Sequence, residues 1–164
     1  NWIDVDHRGW GSYEKVGDKG TYTDKNNNKI EYVITDIYRN GEEDEDADID
    51  LVINDTFKAK DNSNCECGCM HYYTNTEYYI GISYACSCGG DKDIIIYDKT
   101  GKELIKDDLY ACDAVPYIEN NVLYYIAIQN DENNDYDFVI KKVDFNKSKI
   151  TAEVINYFNE ERTD

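Results

Sequence analysis

Two matching segments, residues 78–82 (YYIGI) and 124–128 (YYIAI), constrain the fold of this chain more than any other feature. They lie 46 residues apart (124 minus 78), and a fainter third copy begins at Tyr32, where Ile34 takes the place of Ile80. The alternation of side chains in each copy is typical of a β-strand. The sequence therefore predicts a weak internal repeat whose unit is built from strands.

A second set of matching segments follows the first. Residues 50–53, 93–96 and 137–140 each consist of an acid and three apolar residues, and such short apolar runs predict strands that are buried on both faces. Polar loops and turn residues separate these strands from further strand-like segments. The result is a unit of four short strands and roughly 45 residues, which is the size of a propeller blade.

Three such units are too few for the usual closed propeller of roughly 4 to 8 blades. The sequence therefore predicts an all-β fold, an antiparallel meander of about three blade-like units arranged as an open propeller-like stack, a barrel or a sandwich. A chain of 164 residues is predicted to form one domain, with an irregular N-terminal segment at 1–20, a β core at 21–155 and a tail at 156–164.

The net charge excludes several classes of partner. The chain has 35 acidic and 17 basic residues, and its formal net charge of −18 repels nucleic acid and anionic membranes. No run of about 18 apolar residues is present, so no membrane-spanning helix is predicted. The same charge favours a basic protein partner or metal cations.

Acidic and amide residues alternate in two predicted loops. Calcium takes about six to eight oxygen ligands, and alternate side chains of a turning loop can converge on one ion. The sequence therefore predicts calcium as a candidate cofactor, while the competing interpretation is that the acids only keep a sheet edge soluble. The candidate ligands are Asp44, Asp46, Asp48 and Asp50 in the first loop, and Asp131, Asn133, Asp135 and Asp137 in the second.

Both loops, residues 44–51 and 131–138, end with an acid directly before an apolar strand. In this they resemble the calcium loops of FG-GAP and VCBS β-propeller repeats, and residues 90–93 form a truncated third copy. The resemblance implies a propeller-like repeat that holds calcium in these loops. The chain departs from the family pattern at Ile49 and Tyr136, which replace the glycine that permits the sharp turn around the ion.

The cysteines form a dense group of even number, which predicts disulfides and an oxidising compartment, either extracellular or at the cell surface. Their Cys-x-Cys spacing also fits a thiolate metal site, for which Cu(I) is the more tolerant ion. Reduced thiols would instead place the protein in the cytoplasm. Spacing leaves the pairing open. The six residues are Cys65, Cys67, Cys69, Cys86, Cys88 and Cys112.

The chain contains 16 tyrosines, many of them on predicted strands. Tyrosine is enriched at interfaces because its ring is apolar and its tip is polar. An outward stripe of rings would suit a protein or glycan partner, and the alternative is cross-strand pairing that stabilises the sheet. The candidate binding residues are Tyr72, Tyr73, Tyr79, Tyr84 and Tyr125.

No catalytic constellation is recognisable, because the only histidines are His7 and His71 and no nucleophile elbow or phosphate-binding glycine loop is present. The sequence therefore predicts a non-catalytic acidic binding module, secreted or at the cell surface, that recognises a protein or glycan. One alternative is an acidic inhibitor or immunity protein that neutralises a basic toxin or nuclease. A second alternative is a thiolate metal-binding protein.

Overall fold

The computed structural model describes residues 2–3, 15–39, 45–62, 70–75, 77–83, 93–110, 116–130 and 136–159. This part of the chain is all-β and antiparallel, as predicted, with three sheets, none of which closes into a barrel. Within these ranges there is no helix with the length and hydrophobicity needed to cross a membrane.

Each sheet is a meander of four strands that are consecutive along the chain. The first sheet contains β2 (Lys19–Thr23), β3 (Lys29–Arg39), β4 (Glu45–Ile53) and β5 (Phe57–Asn62). The second contains β6 (Met70–Thr74), β7 (Tyr78–Ser83), β8 (Asp93–Asp98) and β9 (Glu103–Asp108). The third contains β10 (Tyr117–Glu119), β11 (Val122–Asn130), β12 (Tyr136–Asp144) and β13 (Ala152–Asn159).

The second sheet gains a fifth strand, β1 (Trp2–Ile3), which pairs with β6. Ile3 is buried in the core, and the Trp2 ring contacts Tyr73 edge-on at a centroid distance of 5.5 Å. Strands therefore occupy part of the predicted irregular segment at 1–20, and β13 extends into the predicted tail at 156–164.

The second sheet lies between the other two. One core cluster joins the first sheet to one face of the second, and the other cluster joins the opposite face of the second sheet to the third. We call these interfaces the first and the second junction. Because both faces of β7 are covered, its residues 79–82 are all buried, as its apolar sequence requires.

The three sheets are oriented alike in the stack, because each turns the corresponding face toward the next sheet along the chain. In the first sheet this face packs on the second sheet and is built from Ile30, Ile34, Ile49, Leu51 and Ile53. The corresponding face of the second sheet, with Ile80, Ile82, Ile94 and Ile96, covers the third. The matched sequence segments also pair alike, Ile80 with Ile96 in one sheet and Ile126 with Ile140 in the next.

The strand connections that the structure describes within the sheets lie at one end of the stack, which we call the turn end. Asparagines support them, and Asn54, Asn120 and Asn121 adopt positive φ angles of 51°, 50° and 61°. Asparagine tolerates this left-handed conformation better than most residues. Backbone hydrogen bonds such as Phe145 N–H to Asn121 O, 3.1 Å, connect neighbouring turns.

Candidate functional site

Half of the predicted calcium ligands lie in the described part of the chain. Asp46, Asp48 and Asp50 lie on β4 rather than in a loop, because Ala47, Ile49 and the apolar residues after them alternate with the acids and are buried. Alternate strand residues project in one direction about 7 Å apart, so Asp48 and Asp50 do not converge as loop ligands would.

The second predicted loop is mostly outside the described residues, as are Asp44, Asp131, Asn133 and Asp135, while Asp137 begins the pairing of β12 with β13. Among the described residues, no three His, Cys, Asp or Glu side chains form a group that could hold a metal ion. Calcium and the FG-GAP and VCBS resemblance therefore stay predictions that rest on the sequence.

All six cysteines, Cys65, Cys67, Cys69, Cys86, Cys88 and Cys112, lie outside the described residues. The strands that flank the first two groups are described, and Met70 pairs directly with Ser83. The disulfide and thiolate interpretations both stay predictions.

Three of the predicted binding tyrosines are core residues. Tyr72 and Tyr79 lie in the first junction and Tyr125 lies in the second, each with 4% or less of its surface exposed. Their rings pack against the protein itself, so they are not available to a partner, and this part of the prediction is corrected. Tyr73 is half-buried beside Trp2, and Tyr84 is outside the described residues.

Tyr125 belongs to a polar network inside the second junction. Its hydroxyl donates to Asp107 Oδ2 at 2.6 Å, and Lys141 Nζ lies 2.8 Å from the same oxygen. Burial raises the pKa of the Tyr125 phenol, and the hydrogen bond to Asp107 raises it further. The network satisfies the polar groups and has the geometry of a structural contact, with the acceptor fully engaged.

The outer face of the third sheet is the best candidate for a functional surface. It corresponds to the faces that the first two sheets bury against their neighbours, yet among the described residues no sheet covers it. Toward one end of this face Phe138, which is opposite Ile128, is buried and packs on Tyr110 with ring centroids 4.6 Å apart. We call it the third-sheet face and define it by Tyr117, Tyr124, Ile126, Ile128 and Ile140. Tyr117 is 56% exposed, and the other four side chains are half-buried.

The aromatic part of the third-sheet face is ordered by cross-strand pairing. Tyr117 on β10 pairs with Tyr124 on β11, and their rings stack at 5.0 Å with an interplanar angle of 19°. Such a pair presents a rigid apolar surface with little conformational entropy left to lose on binding. Next to it, Lys142 and Glu153 form an ion pair at 3.8 Å.

The opposite outer face, on the first sheet, has different chemistry. Lys19, Glu31, Asp50, Lys58 and Lys60 project from it. Alternating charges of this kind suit a surface that stays in contact with water. The outer faces of the first and third sheets are therefore not complementary. If two copies of the chain met through these faces, the apolar face of one copy would meet the charged face of the other.

The sequence interpretation selected Tyr125, whereas the outer face carries its neighbour Tyr124. Adjacent strand residues point to opposite faces, so a doublet alone does not show which ring is outward. Both sides of β11 carry one tyrosine and apolar residues, so the strand alone gives no signal that would have found Tyr124.

Comparisons of the chain with models of known protein families, with curated proteins and with solved structures gave no match.

Proposed function

We propose that this protein is a non-catalytic acidic binding module that docks a partner protein through the third-sheet face. The observation that supports the proposal is the position of this face in the stack. Corresponding faces of the first and second sheets are each buried by a neighbouring sheet. The third-sheet face has the same apolar character, with Ile126 paired to Ile140, and apolar surfaces of this kind are typical of interaction sites.

The charge favours a heterologous partner over a second copy of the chain. Two copies would each bring a formal net charge of −18, and their mutual repulsion opposes association. A partner with an apolar centre and a basic rim would instead be attracted over long range, and its rim would meet Glu119 and Glu153 beside the face. Tyr117 is the expected anchor, because exposed tyrosines are frequent hot spots.

The test is to purify a partner captured from the native source, identify it, and measure its affinity for single variants. Tyr117→Ala and Ile126→Lys are expected to weaken binding at least about tenfold, since each removes or charges the apolar centre. Val33→Lys is the matched control, because Val33 is 40% exposed on the opposite outer face. Higher salt is expected to slow association.

Two results would contradict this proposal. One is a partner whose affinity falls with Val33→Lys but not with Tyr117→Ala or Ile126→Lys. The other is a dimer of the protein, seen by sedimentation velocity, that Ile126→Lys dissociates, because the face would then be occupied by a second copy.

The acidic inhibitor of a basic toxin or nuclease is a special case of the same surface chemistry, and the charge of −18 supports it equally. The two proposals differ in compartment. Alkylation of the native protein with and without reduction, followed by intact-mass measurement, distinguishes them: protected cysteines support a secreted or cell-surface module, and free thiols support a cytoplasmic inhibitor.

A further inference from the structure

A cleft of about 370 Å³ opens at the turn end of the second junction, between the turns of the second and third sheets. Its size lies within the range of small-molecule sites, roughly 300 to 1,000 Å³. We propose that it binds a neutral saccharide. The residues that carry this inference are Asn75, Glu77, Tyr78, Asn121, Phe145 and Asn146.

The polar wall of the cleft is a relay of side-chain amides. Asn75 Nδ2 donates to Asn121 Oδ1 at 3.2 Å, and Asn121 Nδ2 donates to Asn146 Oδ1 at 3.3 Å. A primary amide carries two N–H donors and an oxygen that can accept twice. Within the described part of the chain, Asn75 and Asn121 each give one donor to the relay, so donors and acceptors remain for hydroxyl groups, which also do both.

Hydrogen bonds within the protein already fix the side chains at both ends of the relay. Asn75 Oδ1 accepts the backbone N–H groups of Glu77 and Tyr78 at 3.0 and 2.7 Å. Asn146 Nδ2 donates to Asn120 O at 3.1 Å and to Asp144 Oδ1 at 3.0 Å. Side chains that are already fixed lose little entropy when they bind a ligand.

Tyr78 forms the apolar wall, since it is half-buried, and the Phe145 ring that supports it from 5.2 Å away is a core residue with 4% of its surface exposed. An aromatic surface matches the C–H face of a sugar ring while the amides match its hydroxyls. The charged groups favour a neutral ligand. Lys147 at the cleft is engaged by Glu153 at 2.7 Å, and the net charge of −18 disfavours an anionic sugar.

The equivalent place at the first junction is filled. There Lys99, which follows the turn residue Asp98 as Phe145 follows Asp144, donates to Thr74 Oγ1 at 2.7 Å and lies 4.1 Å above the Tyr79 ring. Asn54 Nδ2 donates to Asn28 Oδ1 at 3.0 Å across this end. Among the described residues, a lysine side chain thus occupies the place at the first junction that corresponds to the cleft.

The experiment is a ligand-observed NMR titration of the intact protein with galactose, glucose, mannose, N-acetylglucosamine and N-acetylgalactosamine, with sialic acid as the anionic comparison. At least one neutral sugar is expected to bind saturably, with a Kd of about 10 mM or tighter. Ser148→Trp, at the exposed edge of the cleft, is designed to fill the space without replacing any residue of the amide relay and is expected to weaken binding at least about tenfold.

Lys102→Trp is the matched control, since Lys102 occupies the fourth position after Asp98 as Ser148 does after Asp144. It is expected to leave sugar binding unchanged. The proposal is overturned if none of the neutral sugars binds, if sialic acid binds more tightly than all of them, or if Ser148→Trp and Lys102→Trp have equal effects. Tyr117→Ala is expected to leave the titration unchanged, so this site and the protein-docking face succeed or fail separately.

Discussion

The two junctions of the stack use the opposite faces of one sheet and yet are built from different side chains. The first is aromatic: Phe57 of the first sheet stacks on Tyr79 at 4.3 Å and contacts the rings of Tyr72 and Tyr97 at 5.5 and 4.9 Å. The second is aliphatic at its centre, where isoleucines of the second sheet meet the third sheet. It also contains a polar network and a cleft.

The difference shows how alternation within one strand separates two kinds of interface. Tyr79 faces the first sheet, whereas Ile80 beside it faces the third. Aromatic rings fill a large volume and close the first junction up to the turn end, where Lys99 covers Tyr79. At the same end of the second junction Tyr78 and Phe145 pack on each other at 5.2 Å, and a cleft remains beside them.

The largest expected effect comes from removing the ring at the centre of the first junction. Phe57→Ala is expected to lower the free energy of unfolding by about 3 to 5 kcal/mol, because the side chain is 1% exposed and leaves a cavity among three tyrosine rings. Leu123→Ala is the matched change in the second junction. Urea unfolding that ranks Leu123→Ala as the more costly would reverse this view of the two junctions.

A smaller loss is expected from the polar network of the second junction. Asp107→Leu removes the acceptor of both Tyr125 and Lys141 and is expected to cost about 1 to 3 kcal/mol. Asp107→Leu combined with Lys141→Met should recover part of that loss, since no unpaired ammonium remains. Equal stability of the single and double variants, measured by urea unfolding, would show that the ion pair is not coupled to folding.

Replacing the turn asparagines is expected to lower the free energy of unfolding by still less, and by different amounts at the two junctions. Asn54→Gly keeps the positive φ but leaves the Lys29 N–H without its 2.9 Å acceptor, and about 1 kcal/mol is the expected cost. Asn121→Gly loses only exposed side-chain contacts, so a few tenths of a kcal/mol is expected. Thermal and urea unfolding of both variants would contradict this order if Asn121→Gly were the less stable protein.

The buried phenols are expected to make the free energy of unfolding depend on pH in alkali but not at neutral pH. Burial raises the pKa of Tyr72 and of Tyr125 above the ordinary value of 10.0. Well below pH 10.0 both phenols are neutral in either state, so their contribution to stability is constant there. Above this pH the unfolded chain ionises first, and stability falls as pH rises.

Phenolate absorbance and unfolding free energy, followed together against pH, test that expectation. Tyr125→Phe should make the alkaline fall of stability shallower, as should Tyr72→Phe in the other junction. An identical pH dependence in both variants and in the unchanged protein would rule out these two phenols as its cause.

Much of the fold follows from local patterns in the sequence. Alternation and short apolar runs predicted strands near Tyr78, Asp93 and Tyr124, and each lies on a strand of the structure. The acids at 46–50 were predicted as a loop, although Ala47, Ile49 and Leu51 already alternate with them as in a half-buried strand. Charge density outweighed periodicity in that interpretation, whereas burial of the apolar residues decides the backbone.

The candidate sites were harder to predict because they depend on how sheets stack. Whether Tyr124 or Tyr125 faces outward depends on the direction of the stack, which no single strand determines. The cleft requires Asn75 and Asn121, 46 residues apart (121 minus 75), to meet through a turn-to-turn hydrogen bond. Each asparagine alone indicates a turn, and only the junction brings them together.

The pairing of Trp2–Ile3 with Tyr72–Tyr73 has a consequence for the nascent chain. Each four-stranded sheet can form as soon as its own segment has left the ribosome, but β1 must wait for a partner made 71 residues later (73 minus 2). At about 5 to 20 residues per second this delay is about 4 to 14 s. During it Ile3, which is destined for the core, stays exposed beside a growing set of strand edges, so this short segment is open to aggregation until β6 has been made.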